Sequence, residues 1–147
     1  AGLNIEEDNS AIEIGKGRIL QEGNLIALVN FGARLPACKN AIEYLSRKGF
    51  NVTLVDARFA KPLDTILLDN ILDNHEYVLT IEEGSIGGFS SIVLNYIHNL
   101  RKKHTSSKVQ NLIFGLLQKQ DIDDIPILKS RATMSACFVI VGREAMR

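Results

Sequence analysis

Apolar runs of strand length recur along the chain, and stretches with the spacing of amphipathic helices separate them. The run from Leu25 to Phe31 is nearly all apolar, which is typical of a strand covered on both faces. The predicted strands are Arg18 to Gln21, Leu25 to Phe31, Phe50 to Val55, Tyr77 to Ile81 and Val109 to Phe114. Strands that alternate with helices of about ten to fifteen residues predict βαβ units, and right-handed crossovers make the sheet mainly parallel.

Three helices are predicted between these strands. The first begins near Pro36 and ends at Gly49, because proline suits a first helical turn and glycine a helix end. Asp64 is the predicted N-cap of the second helix, and Ser90 or Ser91 that of the third. The apolar faces are predicted as Ala37, Ala41, Ile42 and Leu45, then Ile66, Leu67, Ile71 and Leu72, then Val93, Leu94, Ile97 and Leu100.

Charge and composition exclude several classes of protein. Seventeen basic and seventeen acidic side chains balance to zero, so the chain lacks the excess positive charge of a nucleic-acid or membrane-surface binder. The basic cluster at 101–104 is typical of a solvated helix end. No apolar run approaches the roughly 20 residues of a membrane span. The two cysteines and three histidines show no metal-ligand spacing, so no metal site is expected.

A glycine-rich turn, TIEEGSIGGF, follows the strand that ends at Ile81. Ligands of parallel α/β sheets bind beyond the carboxyl ends of strands, at the point where the strand order reverses. Gly84, Gly87 and Gly88 stand between a strand and a helix, where free amides can hold an anion. Their spacing fits no standard phosphate-binding motif, so a tight turn with close helix packing is favoured over an anion site.

Charged residues surround the same turn. Glu82 and Glu83 are adjacent on a strand and point to opposite faces, which excludes a same-face acid/base pair. One of them is expected in the crevice, and the other on a backbone amide or a cation. Arg34 and Arg58, at other strand exits, are candidate partners for a glutamate or a phosphate, although Asp56 and Arg58 equally suit a structural ion pair. Nothing supplies a nucleophile, a base and an oxyanion donor together.

Four motifs in order carry a family resemblance: IEIGKGR (12–18), FGAR (31–34), VDARFAKPLDT (55–65) and TIEEGSIGGFSS (80–91). Over residues 12–114 the chain resembles the C-terminal domain of the 1-deoxy-D-xylulose-5-phosphate synthases, which are enzymes of the transketolase superfamily. The resemblance implies a three-layer α/β/α domain with a five-stranded, mainly parallel sheet. Its first strand, Arg18 to Gln21, would lie antiparallel at one edge.

The resemblance also implies an activity for a parent enzyme. Pyruvate and glyceraldehyde 3-phosphate would condense with loss of carbon dioxide, forming a precursor of isoprenoids, thiamine and pyridoxal. Thiamine diphosphate and Mg²⁺ would bind on two preceding domains, so neither cofactor nor catalytic residue is expected on this chain. The isolated chain would then be inactive and would support a homodimer with the other domains as its partners. Such enzymes are expected in the bacterial cytoplasm or in plastids.

The resemblance also implies how the chain is divided into a linker and a domain. Residues 1–13 are predicted to be an interdomain linker that follows the second domain directly, and residues 14–147 the domain itself. Within it, 115–147 is a tail that departs from the family pattern, and residues 134–141 suit either a strand or a helix. Two alternatives stay open. In the first, the parent enzyme is a transketolase or a 2-oxoacid dehydrogenase β subunit. In the second, the chain is a stand-alone anion-binding or dimerisation module.

Overall fold

The computed structural model describes residues 11–83, 87–103, 112–117 and 137–143. A single mixed sheet with the strand order β1-β3-β2-β4-β6-β5 forms its centre. The elements are β1 (Arg18–Gln21), β2 (Ile26–Phe31), α1 (Leu35–Arg47), β3 (Val52–Asp56), α2 (Thr65–Asn74), β4 (Tyr77–Glu82), α3 (Phe89–Lys103), β5 (Leu112–Leu117) and β6 (Cys137–Arg143). Strands β2, β3 and β4 are parallel, whereas β1 pairs with β3 in the antiparallel sense.

The predicted α/β class and the antiparallel edge strand β1 are confirmed. The number of strands differs, because the described residues form six strands and not five. The additional strand is β6, which lies antiparallel between β4 and β5, in the region where the sequence left strand or helix open. It pairs with β4 along six consecutive residues, so β5 is separated from the parallel strands. Strand β5 overlaps the predicted run from Val109 to Phe114 at residues 112–114 and continues to Leu117, and residues 109–111 lie outside the described residues.

Helices cover the sheet on both faces, which gives the three predicted layers. On one face α1 packs against β2 and β3, and on the other α2 and α3 pack against β2, β3 and β4. The first core contains Leu28, Cys38, Ile42, Val52 and Leu54, and the second Ala27, Val29, Val55, Ala57, Leu68, Ile71, Leu72, Val78, Phe89, Val93 and Ile97. Successive residues of β2 alternate between the two cores, as the pleat of a strand requires.

The predicted residues Ile42, Ile71, Leu72, Val93 and Ile97 are buried, and the faces of α1 and α2 each differ from the prediction at one position. Cys38 is buried in α1, whereas the predicted Ala37 is exposed. In α2 the buried face contains Leu68, whereas the predicted Ile66 is exposed to solvent. Apolar residues adjacent in sequence leave the orientation of a short helix ambiguous, and packing against the sheet decides it.

Asp64 caps α2 as predicted, and its carboxylate also binds the segment before β1, which is distant in sequence. Its Oδ1 accepts a hydrogen bond from the amide of Leu67 at 3.1 Å. Its Oδ2 accepts one from the amide of Gly17 at 3.1 Å, just before β1. The edge strand is therefore anchored to the start of α2 by one side chain.

Tyr96 joins the two helices on the second face and provides a pH-dependent prediction. Its hydroxyl donates to Asp69 Oδ1 at 2.7 Å. Burial, together with the Asp69 carboxylate, raises the pKa of Tyr96 from 10.0 to about 12. A raised folded-state pKa means that this contribution to stability is complete below pH 10.0 and is lost as the pH rises through about 12. We expect an ultraviolet titration to show a phenol ionising near pH 12, and Tyr96→Phe to remove that step.

Some predictions concern residues outside the described ranges. Residues 1–10 are among them, so the linker assigned to 1–13 stays a prediction. Within the residues that the structure does describe, no helix is long and apolar enough to cross a membrane.

Candidate functional site at the switch point

The switch point of the sheet lies between the carboxyl ends of β2 and β4. These strands are neighbours, with Phe31 beside Glu82, but β2 leads into α1 on one face and β4 leads towards α3 on the other. Gly32 turns the chain away from β2 with a φ of +87°, a conformation that favours glycine. Across the junction the rings of Phe31 and Phe89 stack with centroids 5.0 Å apart. FGAR and the described part of the glycine-rich turn therefore lie on the two sides of this switch point, and a ligand crevice between them stays a prediction.

Glu82 is buried beneath this turn and binds the start of α3. Its Oε2 accepts a hydrogen bond from the amide of Phe89 at 2.6 Å, and its Oε1 accepts one from Ser90 at 2.8 Å. The prediction that Ser90 or Ser91 caps these amides is wrong, because α3 begins at Phe89. A carboxylate at this position satisfies two otherwise unpaired amides and places negative charge at the positive end of the helix dipole.

The serines have other partners. Ser90 accepts a hydrogen bond from the hydroxyl of Thr80 at 2.9 Å, which ties α3 to β4. Ser91 Oγ accepts one from the amide of Gly87 at 3.2 Å, on the turn that precedes the helix. The helix start is thus held by β4 through two separate side chains, Glu82 and Thr80.

Two glycines of the turn, Gly87 and Gly88, allow Glu82 to bind the start of α3. A Cβ on Gly88 would press on the carboxylate of Glu82, so only glycine leaves room for the cap. Gly87 has a φ of +96° and no neighbour near its missing side chain, so its backbone conformation is what favours glycine there. Gly84, the third glycine of the predicted site, lies outside the described residues. For Gly87 and Gly88 the geometry agrees with the interpretation as a tight, closely packed turn.

Glu83 points away from Glu82 and forms an ion pair across the switch point. Its Oε1 lies 2.7 Å from Nη2 of Arg34, and both side chains are partly exposed. Arg34 stands at the N-terminus of α1, where no side chain caps the helix. Its Nε is buried and, within the described part of the chain, has no hydrogen-bond acceptor. The pair links the segments that follow β2 and β4, and among the described residues one guanidinium donor has no acceptor.

Arg58 lies apart from this pair. It occupies a tight turn with a φ of +56°, closed by a hydrogen bond from the amide of Phe59 to the carbonyl of Ala57. Its Nε is 3.9 Å from Asp56 Oδ2, and the same oxygen accepts a hydrogen bond from Arg18 Nε at 3.1 Å. Arg58 therefore belongs to a cluster beside β1. The assignment of Arg34, Arg58, Glu82, Glu83, Gly84, Gly87 and Gly88 to one ligand crevice stays a prediction.

Asn30 is a buried polar residue at the switch point that sequence reasoning missed. It has no exposed surface, and its Nδ2 donates to the carbonyl of Gly32 at 3.0 Å. Its Oδ1 accepts a hydrogen bond from Cys38 Sγ at 3.6 Å. A polar residue near the end of an otherwise apolar buried strand was the available signal. Asn30 shapes the turn into α1 and positions the thiol beneath it.

Cys38 is predicted to be unreactive in the folded protein. Burial raises the pKa of its thiol from 9.0 to about 11, which reduces the thiolate population at neutral pH about 100-fold. We expect Cys38 to react with a thiol reagent at least about 100-fold more slowly in the native state than after unfolding. A Cys137→Ser background isolates the measurement to this thiol, and rapid labelling of the native protein would contradict it.

The described geometry is that of a three-layer α/β/α domain whose switch point lies beside a glycine-rich turn and the capped start of α3. Residues 15–114 match the family model for the transketolase C-terminal domain, and the chain belongs to this family. The chain is 42% identical over 96 residues to 1-deoxy-D-xylulose-5-phosphate synthase 2 of Jannaschia sp. (strain CCS1). That match covers 65% of this chain and 15% of the relative, so the chain spans only a small part of the curated protein that it matches.

A solved structure supports the same assignment. It is described as an inactive β4 tetramer of a split-gene transketolase, and it is similar to this chain with a TM-score of 0.62 and 28% sequence identity. The similarity covers 66% of this chain and 32% of that one. The resemblance inferred from the four motifs is thus confirmed at the level of family and fold.

Proposed function

We propose that this chain is the C-terminal domain of a 1-deoxy-D-xylulose-5-phosphate synthase. The parent enzyme would join pyruvate to glyceraldehyde 3-phosphate with release of carbon dioxide, using thiamine diphosphate and Mg²⁺. Within it the domain has a structural role and supports the homodimer. The identity of 42% to a synthase over 96 residues supports the choice of this parent among transketolase relatives.

The observation that carries the structural role is the pairing of both switch-point glutamates. Glu82 is committed to the amides of Phe89 and Ser90, and Glu83 to Arg34. A general acid or base needs its carboxyl group to reach a substrate proton. Breaking the Glu82 contacts would leave two buried amides unsatisfied, at a cost of about 1–3 kcal/mol each. These carboxylates therefore brace the domain.

The contacts of Glu82 also argue against binding of the cofactor diphosphate at the start of α3. A diphosphate would ordinarily be held by the free amides at a helix N-terminus. In α3 the first two amides already bind Glu82, whose negative charge lies where a phosphate oxygen would have to sit. The start of α3 does not fit a diphosphate, and we assign thiamine diphosphate and Mg²⁺ to the preceding domains of the parent enzyme.

The proposal is tested first on the 147-residue chain. Calorimetry with thiamine diphosphate and Mg²⁺ is expected to show no binding, and pyruvate with glyceraldehyde 3-phosphate is expected to give no product. The description of the split-gene transketolase β4 tetramer as inactive supports this expectation. Micromolar cofactor binding or measurable carboligation by the isolated chain would overturn the structural role.

The second test uses the parent polypeptide. The coding sequence upstream of residue 1 is expected to specify two thiamine-binding domains, and the full enzyme to form 1-deoxy-D-xylulose 5-phosphate. Deletion of residues 14–147 is expected to abolish that activity. Ketol transfer between sugars would instead identify a transketolase, and oxidative acyl transfer a 2-oxoacid dehydrogenase.

A stand-alone anion-binding module is the second candidate, and the unused Nε donor of Arg34 favours it. Calorimetry of the chain with glyceraldehyde 3-phosphate and with inorganic phosphate tests this alternative. Binding that Arg34→Ala removes would support it, with Arg47→Ala, an exposed residue on the same helix, as the control. Absence of heat would exclude it.

A further inference from the structure

We propose that Ile12, Ile14 and Ile66 form a surface on which the preceding domain of the same polypeptide docks. This inference rests on the proposed function, since it needs a parent enzyme with a domain before residue 1. We call these three residues the isoleucine surface. They lie on two segments of the chain that contact each other, the lead-in to β1 and the first turn of α2.

Ile14 is presented by a rigid turn. The amide of Lys16 donates to the carbonyl of Glu13 at 3.2 Å, which closes the turn. Gly15 occupies its third position with a φ of +75°, which leaves Ile14 at the corner. A turn fixed by a hydrogen bond and a glycine loses little conformational entropy when a partner covers it, so it is preorganised for contact.

The same turn is fastened to α2. Gly15 is buried, and a Cβ there would lie 2.7 Å from Pro62. A Cβ on Gly17 would lie 2.7 Å from Leu67, so the segment and the helix are in close contact. The Asp64 carboxylate bonds to the amides of both Gly17 and Leu67. The lead-in segment and the start of α2 are thus one unit, and isoleucines stand on both parts of it.

These isoleucines are the most exposed large apolar side chains in the described part of the molecule. Ile14 is 76% exposed, Ile66 72% and Ile12 59%, whereas the next, Phe50, is 48% exposed. Burying an exposed isoleucine side chain stabilises a protein, so three exposed isoleucines would each be stabilised by a partner that covers them. Apolar side chains that are clustered and held rigidly in water mark an interaction surface.

The isoleucine surface lies next to the predicted linker, and this position indicates which partner covers it. The matched 96 residues make up only 15% of the synthase relative, so most of that protein lies outside the part that this chain resembles. Residue 13 immediately precedes Ile14, so a domain joined through the predicted linker at 1–13 is held near the isoleucine surface at high effective concentration. A second copy of the chain has no such tether. The preceding domain, with an apolar patch of its own, is therefore the occupant that we assign.

The test compares Ile14→Ser/Ile66→Ser with Phe50→Ser in the full parent enzyme. Phe50 precedes β3 at its amino end, whereas the start of β1 pairs with Asp56 at the carboxyl end of β3, so Phe50 is a distant control for loss of an exposed apolar side chain. We expect the double variant to increase the rate of proteolytic cleavage within residues 1–13 at least about tenfold, because undocking frees the linker. The control is expected to keep the wild-type rate.

Parallel measurements on the isolated 147-residue chain separate the possible results. There the double variant is expected to fold with unchanged thermal stability, because both side chains are already exposed. Wild-type cleavage rates for the double variant in the parent would overturn the inference. A dimer of the isolated chain that the double variant converts to a monomer would assign the surface to a second copy and also overturn it. Failure of the proposed function is distinguishable, since the wild-type parent would then lack synthase activity whatever its cleavage rate.

Discussion

Replacing Glu82 with alanine is expected to lower the free energy of unfolding by about 3 kcal/mol, since two buried amides lose their acceptors. The carboxylate is 3% exposed and binds Phe89 at 2.6 Å and Ser90 at 2.8 Å. Each buried donor left without a partner costs about 1–3 kcal/mol, and the loss of a helix cap alone costs about 1 kcal/mol. Urea unfolding followed by circular dichroism measures the change.

Two further variants test the reason for this loss. Glu82→Gln keeps the shape but offers one carbonyl oxygen, and its amide nitrogen faces a backbone donor, so a loss of about 2 kcal/mol is expected. Glu83→Ala removes the partly exposed ion pair with Arg34, and an effect below about 1 kcal/mol is expected. Equal losses for Glu82→Ala and Glu83→Ala would contradict the assignment of Glu82 as the brace of α3.

Gly23→Ala is expected to destabilise the protein by about 3 kcal/mol or more, enough to prevent folding of a marginally stable domain. A Cβ at this position would lie 2.5–2.6 Å from backbone atoms of Val52, Asn51 and Thr53. Strand β3 is paired on both sides, with β1 and β2, so its backbone cannot move aside. The substitution would also strain the hydrogen bond from the Gly23 amide to Thr53 Oγ1 at 2.8 Å.

Gly49→Ala is the matched control for this variant. Gly49 has a φ of +86° but nothing within 4 Å of its missing side chain, so only backbone strain is introduced. A loss of about 1–2 kcal/mol is expected from the left-handed conformation alone. Thermal unfolding of both purified variants measures the difference. A similar melting temperature for the two would show that β3 tolerates the added methyl group and would contradict the prediction.

The sequence predicted several contacts of the switch point as well as the class of the fold. Strand alternation placed Glu82 and Glu83 on opposite faces, and the structure has them there, one on α3 and one on Arg34. The capping preference of aspartate identified Asp64 correctly. Both inferences depend on residues within a few positions of each other, where geometry is set by the local backbone conformation.

Other contacts were beyond the reach of local patterns. The serines near α3 are good capping residues by type, yet a glutamate from β4 binds the first amides of the helix. Arg58 was a candidate for the crevice because it follows a strand, with a structural ion pair to Asp56 as the equal alternative. The structure has the ion pair, and a positive φ at Arg58 turns this segment towards β1. A side chain's direction after a strand depends on loop dihedral angles that periodicity does not encode.

By itself the sequence determined the alternation of buried strands with amphipathic helices, the parallel core of the sheet and the family, because repeat period and ordered motifs are properties of the chain. Only the tertiary structure decided that β6 lies between β4 and β5, that Glu82 binds the first amides of α3, and that Ile14 and Ile66 are exposed. These features depend on distances between segments far apart in sequence. Such distances follow from the packing of the whole domain, and no local pattern specifies them.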